Sequence, residues 1–201
     1  MPLDTGEVLL AFPADVGPVR HVRSTLLLGS LAALEEAGHI DAWSAVIAPD
    51  AREQLQHAVA GVWLDVDLAL THYRACERLA LSSETQAELG AATFGRLRGT
   101  LLGTMLRMAQ GSGATPWTVL PHLQRFWNRA YDGGGIRVVR LGPKDAQLDL
   151  IECAFADTRY YRNALRGLVR GVLELFSRKA YVHERVGRRA AGALSLHGQW
   201  V

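Results

Sequence analysis

Three glycines spaced by four, Gly95, Gly99 and Gly103, fall within the longest helical pattern of the chain. At that spacing they share one side of a helix. Glycine in a helix interior is about 1 kcal/mol less favourable than alanine, so a row of them needs a structural reason. Either a second helix packs there with its backbone very close, or the missing side chains leave room for a bound molecule. A shorter pair, Gly167 and Gly171, lies on another helical pattern, and two such helices could cross at their glycines. Arg96, Arg98 and Arg107 share the first helix, which argues against a membrane dimer motif.

The rest of the pattern predicts one α+β domain over residues 1–201, with residues 1–23 as a loosely packed N-terminal segment. Val8 to Phe12 reads as a short strand ending at Pro13. Helices follow from Ser24 to Gly38, over Asp41 to Ile47, from Pro49 to about Val59 and from a cap at Asp65. Asp50 with Glu53, and Ser83 with Gln86, have capping-box spacing. The second box opens the long helix, about Glu84 to Gln110, whose apolar stripe is Phe94, Leu97, Leu101, Met105 and Met108. Thr115-Pro116 starts another helix, predicted to run through Phe126 and Trp127 and to stop at Asp132-Gly133-Gly134-Gly135. The period then changes. Ile136–Leu141 and Ala146–Cys153 form a predicted hairpin, Asp157 caps a helix carrying Tyr161, Leu165 and Leu168, and Ala180–Val186 with Ala193–Trp200 form a second hairpin. The expected body is helical, backed by an antiparallel sheet of about four strands from the C-terminal half.

This order, with Glu88-Leu89-Gly90, Trp127-Asn128-Arg129-Ala130-Tyr131-Asp132-Gly133-Gly134, Leu141-Gly142-Pro143 and Gly167-x-x-x-Gly171-x-Leu173-Glu174, resembles a family of myxobacterial paralogues. That family is in turn similar to the 4-vinyl-reductase, haem nitric-oxide-binding and transport-particle (TRAPP) domains. The resemblance spans about Ser24 to Trp200 and rests on glycines, aromatics and turns, which specify fold more than activity. It implies a compact helical domain against an antiparallel sheet. It also implies an apolar cavity for haem, a small aromatic effector or an acyl chain, or an adaptor role. The zinc-binding cysteine cluster and the Tyr-x-Ser-x-Arg haem signature of such relatives are missing, so no cofactor is expected.

Composition excludes further classes. The net charge of +2 gives no reason to invoke nucleic acid, and the longest apolar run, Leu26 to Leu34, is too short to span a bilayer. Two cysteines, Cys76 and Cys153, make neither a disulfide framework nor a metal motif, which fits reduced, cytoplasmic thiols. His72 and Cys76 could reach one metal ion, but two ligands are too few; the expected role of both is in the core, and no metal is assigned. His122 and His183 read as surface or hydrogen-bonded rather than haem ligands. The glycine run 133–135 follows a helix and precedes a strand, the reverse of a phosphate loop. No Gly-x-Ser-x-Gly elbow or carboxylate dyad is present, so no enzyme and no catalytic residue is expected.

Two expectations of different class remain. The first is a non-enzymatic sensor or binding domain in bacterial signalling. It would hold a small apolar molecule or acyl chain in a cavity lined by Phe94, Leu97, Gly99, Leu101, Met105, Phe126 and Trp127. The second is a ligand-free interaction module with a filled core that binds a protein partner or a second copy of itself. Arg159, Arg162, Arg166 and Arg170, spaced by three, four and four, form a cationic stripe. It is the candidate docking face for an acidic partner or anionic membrane.

Overall fold

The computed structural model describes residues 6–97, 114–185 and 190–201. The architecture is α+β. The C-terminal half supplies two antiparallel hairpins, β5 (Gly135–Gly142) with β6 (Asp145–Ile151) and β7 (Ala180–Glu184) with β8 (Leu194–Trp200). A fifth strand, β1 (Glu7–Leu10), pairs with β5 and completes the order β1-β5-β6-β8-β7. The register aligns Val138 with Leu148 and Leu148 with Leu196, and likewise Ile136 with Leu150 and Leu150 with Leu194. These two apolar rows cross three strands on one face, as the period-2 pattern requires. A second sheet was not foreseen. Its strands are only two or three residues long: β2 (His21–Arg23) lies between β3 (Trp63–Asp65) and β4 (Tyr131–Asp132). Such short strands leave no readable alternation.

The helices fall where the apolar periodicity places them: α1 (Ser24–Glu36), α2 (Ile40–Val46), α3 (Pro49–Gln56), α4 (Val66–Arg78) and α5 (Ser83–Leu97). Their caps differ in part. Asp65 caps α4 by accepting from the Asp67 N–H at 2.8 Å, as expected. The α3 cap position is Ala48, not Asp50, because Pro49 already supplies the first helical residue. At α5, Ser82 rather than Ser83 accepts from the Thr85 N–H, at 3.0 Å. Thr115 and Thr118 form a reciprocal capping box at α6 (Pro116–Val119). The single helix predicted beyond it is interrupted. Residues Leu120–His122 form a 3-10 turn, because Pro121 has no N–H to continue the ladder, and α7 (Leu123–Ala130) follows. The long final helix, α8 (Arg159–Glu174), is capped by Thr158, whose hydroxyl accepts from the Tyr161 N–H at 3.4 Å. Asp157 instead accepts from the Gly192 N–H at 3.1 Å.

Helix α8 lies on the sheet on one side and on α5 on the other. Against the sheet, the missing side chain of Gly198 seats Leu173, whose Cδ1 would stand 3.0 Å from an added Cβ. Against α5, the two backbones touch. A Cβ at Gly167 would fall 1.7 Å from the Ala87 carbonyl oxygen, and one at Gly90 would fall 1.8 Å from that of Ala164. The glycine crossing expected at the Gly95–Gly103 row is therefore one turn earlier, between Ala87-x-x-Gly90 and Ala164-x-x-Gly167. A Cβ at Gly95 would meet nothing within 4 Å, and Gly99 and Gly103 lie outside the described residues.

Candidate functional site

Beyond the Gly90–Gly167 crossing, α5 and α8 no longer fill the space between them and the sheet. An apolar cavity of about 120 Å³ lies there. Its floor is the sheet row Ile136, Leu148 and Leu150. Leu165, Leu168, Val169, Val172 and Leu173 of α8 form one wall, and Phe94 of α5 stands beside them. Leu123, Phe126, Trp127 and Ala130 of α7 form the opposite wall, with Val119 and Leu120 from the preceding turns. Leu26 of α1 and Tyr131 also line it. No described lining residue is charged. Such walls offer a guest dispersion and desolvation but no directed hydrogen bonding.

Two glycines hold Trp127 in place. The chain leaves α7 through Gly133 and Gly134, both with positive φ (+99° and +72°), a conformation a side chain would strain. The Trp127 Nε1–H donates to the Gly133 carbonyl at 2.7 Å, and an added Cβ at Gly134 would stand 3.1 Å from the indole. The ring stacks on Tyr131 with centroids 4.0 Å apart. The glycine run after α7 thus ends a helix, as expected, and also clamps one aromatic wall of the cavity.

Of the residues predicted to line a cavity, Phe94, Phe126 and Trp127 do so. Gly99, Leu101, Met105 and the side chain of Leu97 lie outside the described residues. The prediction missed the sheet floor and the α8 wall. Their signal was present in the alternation of Ile136 with Val138 and of Leu148 with Leu150, and in the Leu165–Leu168–Val172 spacing. Those patterns read as ordinary core.

The arginine stripe is not a free cationic face. Arg166 and Arg170 both pair with Glu84, at 3.6 and 3.1 Å, and Arg162 pairs with Glu184 at 3.2 Å. Their side chains are only 23%, 29% and 18% exposed. Arg159 donates to the Ser83 hydroxyl at 3.0 Å. The row lies along the seam where α8 meets α5 and β7, so its guanidinium groups tie the fold together. Arg166 and Arg170 also border a separate polar cleft of about 270 Å³ with Glu84 and His183.

Next to the cavity, the space between α1, α4 and α8 is packed with buried aromatic and titratable groups. Tyr73 contacts His72, Phe155 and Tyr161 edge-on. The Tyr161 hydroxyl donates to that of Tyr131 at 3.2 Å. Burial pushes the tyrosine hydroxyls and the Cys76 thiol upward and the Cys153 thiol up to about 12, so none supplies an anion near neutrality. His72 Nε2 is 3.0 Å from the Ser30 hydroxyl and 3.7 Å from Cys76 Sγ. Burial lowers its pKa to about 3 and keeps it neutral. Among the described residues, no three His, Cys, Asp or Glu side chains gather to hold a metal ion.

No family model matches the chain, and no curated protein sequence matches it. Solved structures do. An unliganded Fe(II) H-NOX protein from K. algicida superposes with a TM-score of 0.64 at 10% identity, over 89% of this chain and 96% of that one. A mutant of it gives 0.65 at 11% identity with the same coverage. An oxygen-binding H-NOX domain related to soluble guanylate cyclases gives 0.59 at 11% identity, over 89% and 94%. The chain therefore has the fold of the H-NOX domains.

Proposed function

We propose that this chain is a non-enzymatic sensor or binding domain in bacterial signalling that holds a small apolar ligand in the cavity between α5, α7, α8 and the sheet. The observation that carries this reading is the cavity itself: a void of about 120 Å³ with apolar and aromatic walls, in a fold whose solved examples include an oxygen-binding domain. A designed void of about 150 Å³ with similar walls stays dry and takes up benzene or xenon. The size thus fits a single small ring or a gas, and a long acyl chain exceeds it.

The described lining of the cavity does not fit haem. Haem iron is held by histidine, cysteine, methionine or tyrosine. None of the seven histidines and neither cysteine lines the cavity. Its one tyrosine, Tyr131, has its hydroxyl engaged by Tyr161. Among the described residues, no arginine or lysine lines the cavity to meet the propionates. The void is also well below the roughly 300–1,000 Å³ of sites for larger ligands. Two buried free thiols fit a reducing, cytoplasmic setting, and no described helix is long and apolar enough to cross a membrane.

The test is a titration of the purified protein with xenon, benzene and toluene, followed by thermal unfolding and tryptophan emission. A ligand that binds only the folded state raises the unfolding temperature with concentration. The expected result is such a rise, with an emission change that disappears in Trp127→Phe. No response to any of them would favour the interaction-module alternative.

A further inference from the structure

Phe94 is 4% exposed, and its ring is laid back against α8 at Gly171. A Cβ at Gly171 would stand 2.9 Å from Phe94 Cδ1, closer than a side-chain carbon tolerates, and 3.6 Å from Cε1. The ring can occupy this place only because residue 171 has no side chain. It shares a small apolar cluster with Val119, against which Phe126, Leu168, Val172, Leu175 and Phe176 pack, and it lines the cavity. A ring pushed off Gly171 has to shift, and the cavity that it lines is free volume beside it. Gly171 is not strained: it lies inside α8 and has no positive φ. Alanine is otherwise the better helix former there.

We infer that Phe94, seated on Gly171, sets the upper size limit of the cavity, so that the site admits a gas or a single six-membered ring and excludes fused rings. This rests on the cavity being a ligand site. It adds that selectivity is decided by one glycine that never touches the ligand and by the aromatic ring it positions. Phe94 is the contact that reads size, and Gly171 is a positioning residue.

The experiment measures binding of xenon, benzene and naphthalene to the wild type, Gly171→Ala and Phe94→Leu, with xenon followed by ¹²⁹Xe NMR and the rings by calorimetry. Far-UV circular dichroism confirms that each variant is folded. The wild type should bind xenon and benzene but not naphthalene. Gly171→Ala should weaken benzene by about tenfold relative to xenon, and Phe94→Leu should gain naphthalene, a difference of the size that one misplaced ring edge produces. Phe94→Leu reads the limit in the opposite sense, so it decides the matter even if Gly171→Ala is poorly folded. A wild type that binds none of the three overturns the ligand site and the size limit together. A wild type that binds benzene, with unchanged selectivity in both variants, overturns the size limit and leaves the ligand site standing.

Discussion

The same two helices meet in opposite ways along their length. Where α5 begins, Ala87 and Gly90 face Ala164 and Gly167 so closely that an added carbon would lie inside a carbonyl group. One turn later, Phe94 meets Gly171, and the space beyond the ring is empty. Around the first contact, Tyr73, Tyr160, Tyr161 and Phe155 pack closely and leave a gap of only about 30 Å³. Around the second, leucines, valines and the rings of Phe126, Trp127 and Tyr131 line a cavity. Glycine serves both arrangements. At Gly90 and Gly167 it lets two backbones touch, and at Gly171 it lets a ring lie flat and leave volume behind. Close packing is the default of a protein interior, so the hollow end is the feature that calls for a function.

The largest effect should come from closing the tight end. Gly167→Val places carbon where the Ala87 carbonyl sits, and the helices can only move apart. The expected loss is about 3 kcal/mol or more, the upper range for overpacking, read from denaturant unfolding. A loss below about 1 kcal/mol would mean that the crossing is looser than described and would erase the contrast.

The next test asks whether the filled side is closed to protons. His72 has a folded pKa of about 3 against about 6.5 in an unfolded chain. Between those values the unfolded state binds a proton that the folded state refuses, so stability falls as pH drops through this window and is fully present above about 6.5. From neutral pH to about pH 4.5, wild type should lose about 2–3 kcal/mol more than His72→Gln. Parallel pH profiles for the two proteins would show that His72 is solvated.

A smaller effect, of opposite sign, belongs to the hollow end. Ala130→Leu grows a side chain into the void and should raise stability by about 1 kcal/mol, as cavity filling commonly does, while abolishing xenon uptake. Destabilisation with unchanged uptake would place the free volume elsewhere. The smallest effect should come from the arginine seam. Arg166→Gln with Arg170→Gln removes two ion pairs to one exposed carboxylate, Glu84, and should cost less than about 1 kcal/mol, with screening by solvent. A much larger loss would make electrostatics, rather than glycine packing, the tie between α5 and α8.

Much of the fold was legible because long amphipathic helices and alternating strands leave a periodic trace. Thr115-Pro116, Asp65 and the Gly142–Asp145 turn carry local chemistry that needs no tertiary context. The small sheet did not show, because His21–Arg23 and Tyr131–Asp132 are shorter than the period that would reveal them. The cavity was half legible. Phe94, Phe126 and Trp127 stand out as aromatic residues near glycines, but whether aromatics fill a space or surround one depends on how far apart their helices stand. Here that distance is fixed by Gly90 against Ala164 and Gly167 against Ala87, and the two Ala-x-x-Gly segments were not read as a pair. The ion pairs of the arginine row were not legible for a related reason. Spacing places four cations on one side of α8, and only the tertiary structure brings Glu84, Glu184 and Ser83 against them.

The central claim is that the hollow end is a ligand site with a defined position. The most direct test is a crystal structure of the protein under xenon pressure. The account predicts a xenon peak between Phe94, Trp127 and Ile136, with the surrounding side chains unmoved. A structure in which those side chains meet across the space and no xenon enters would contradict it.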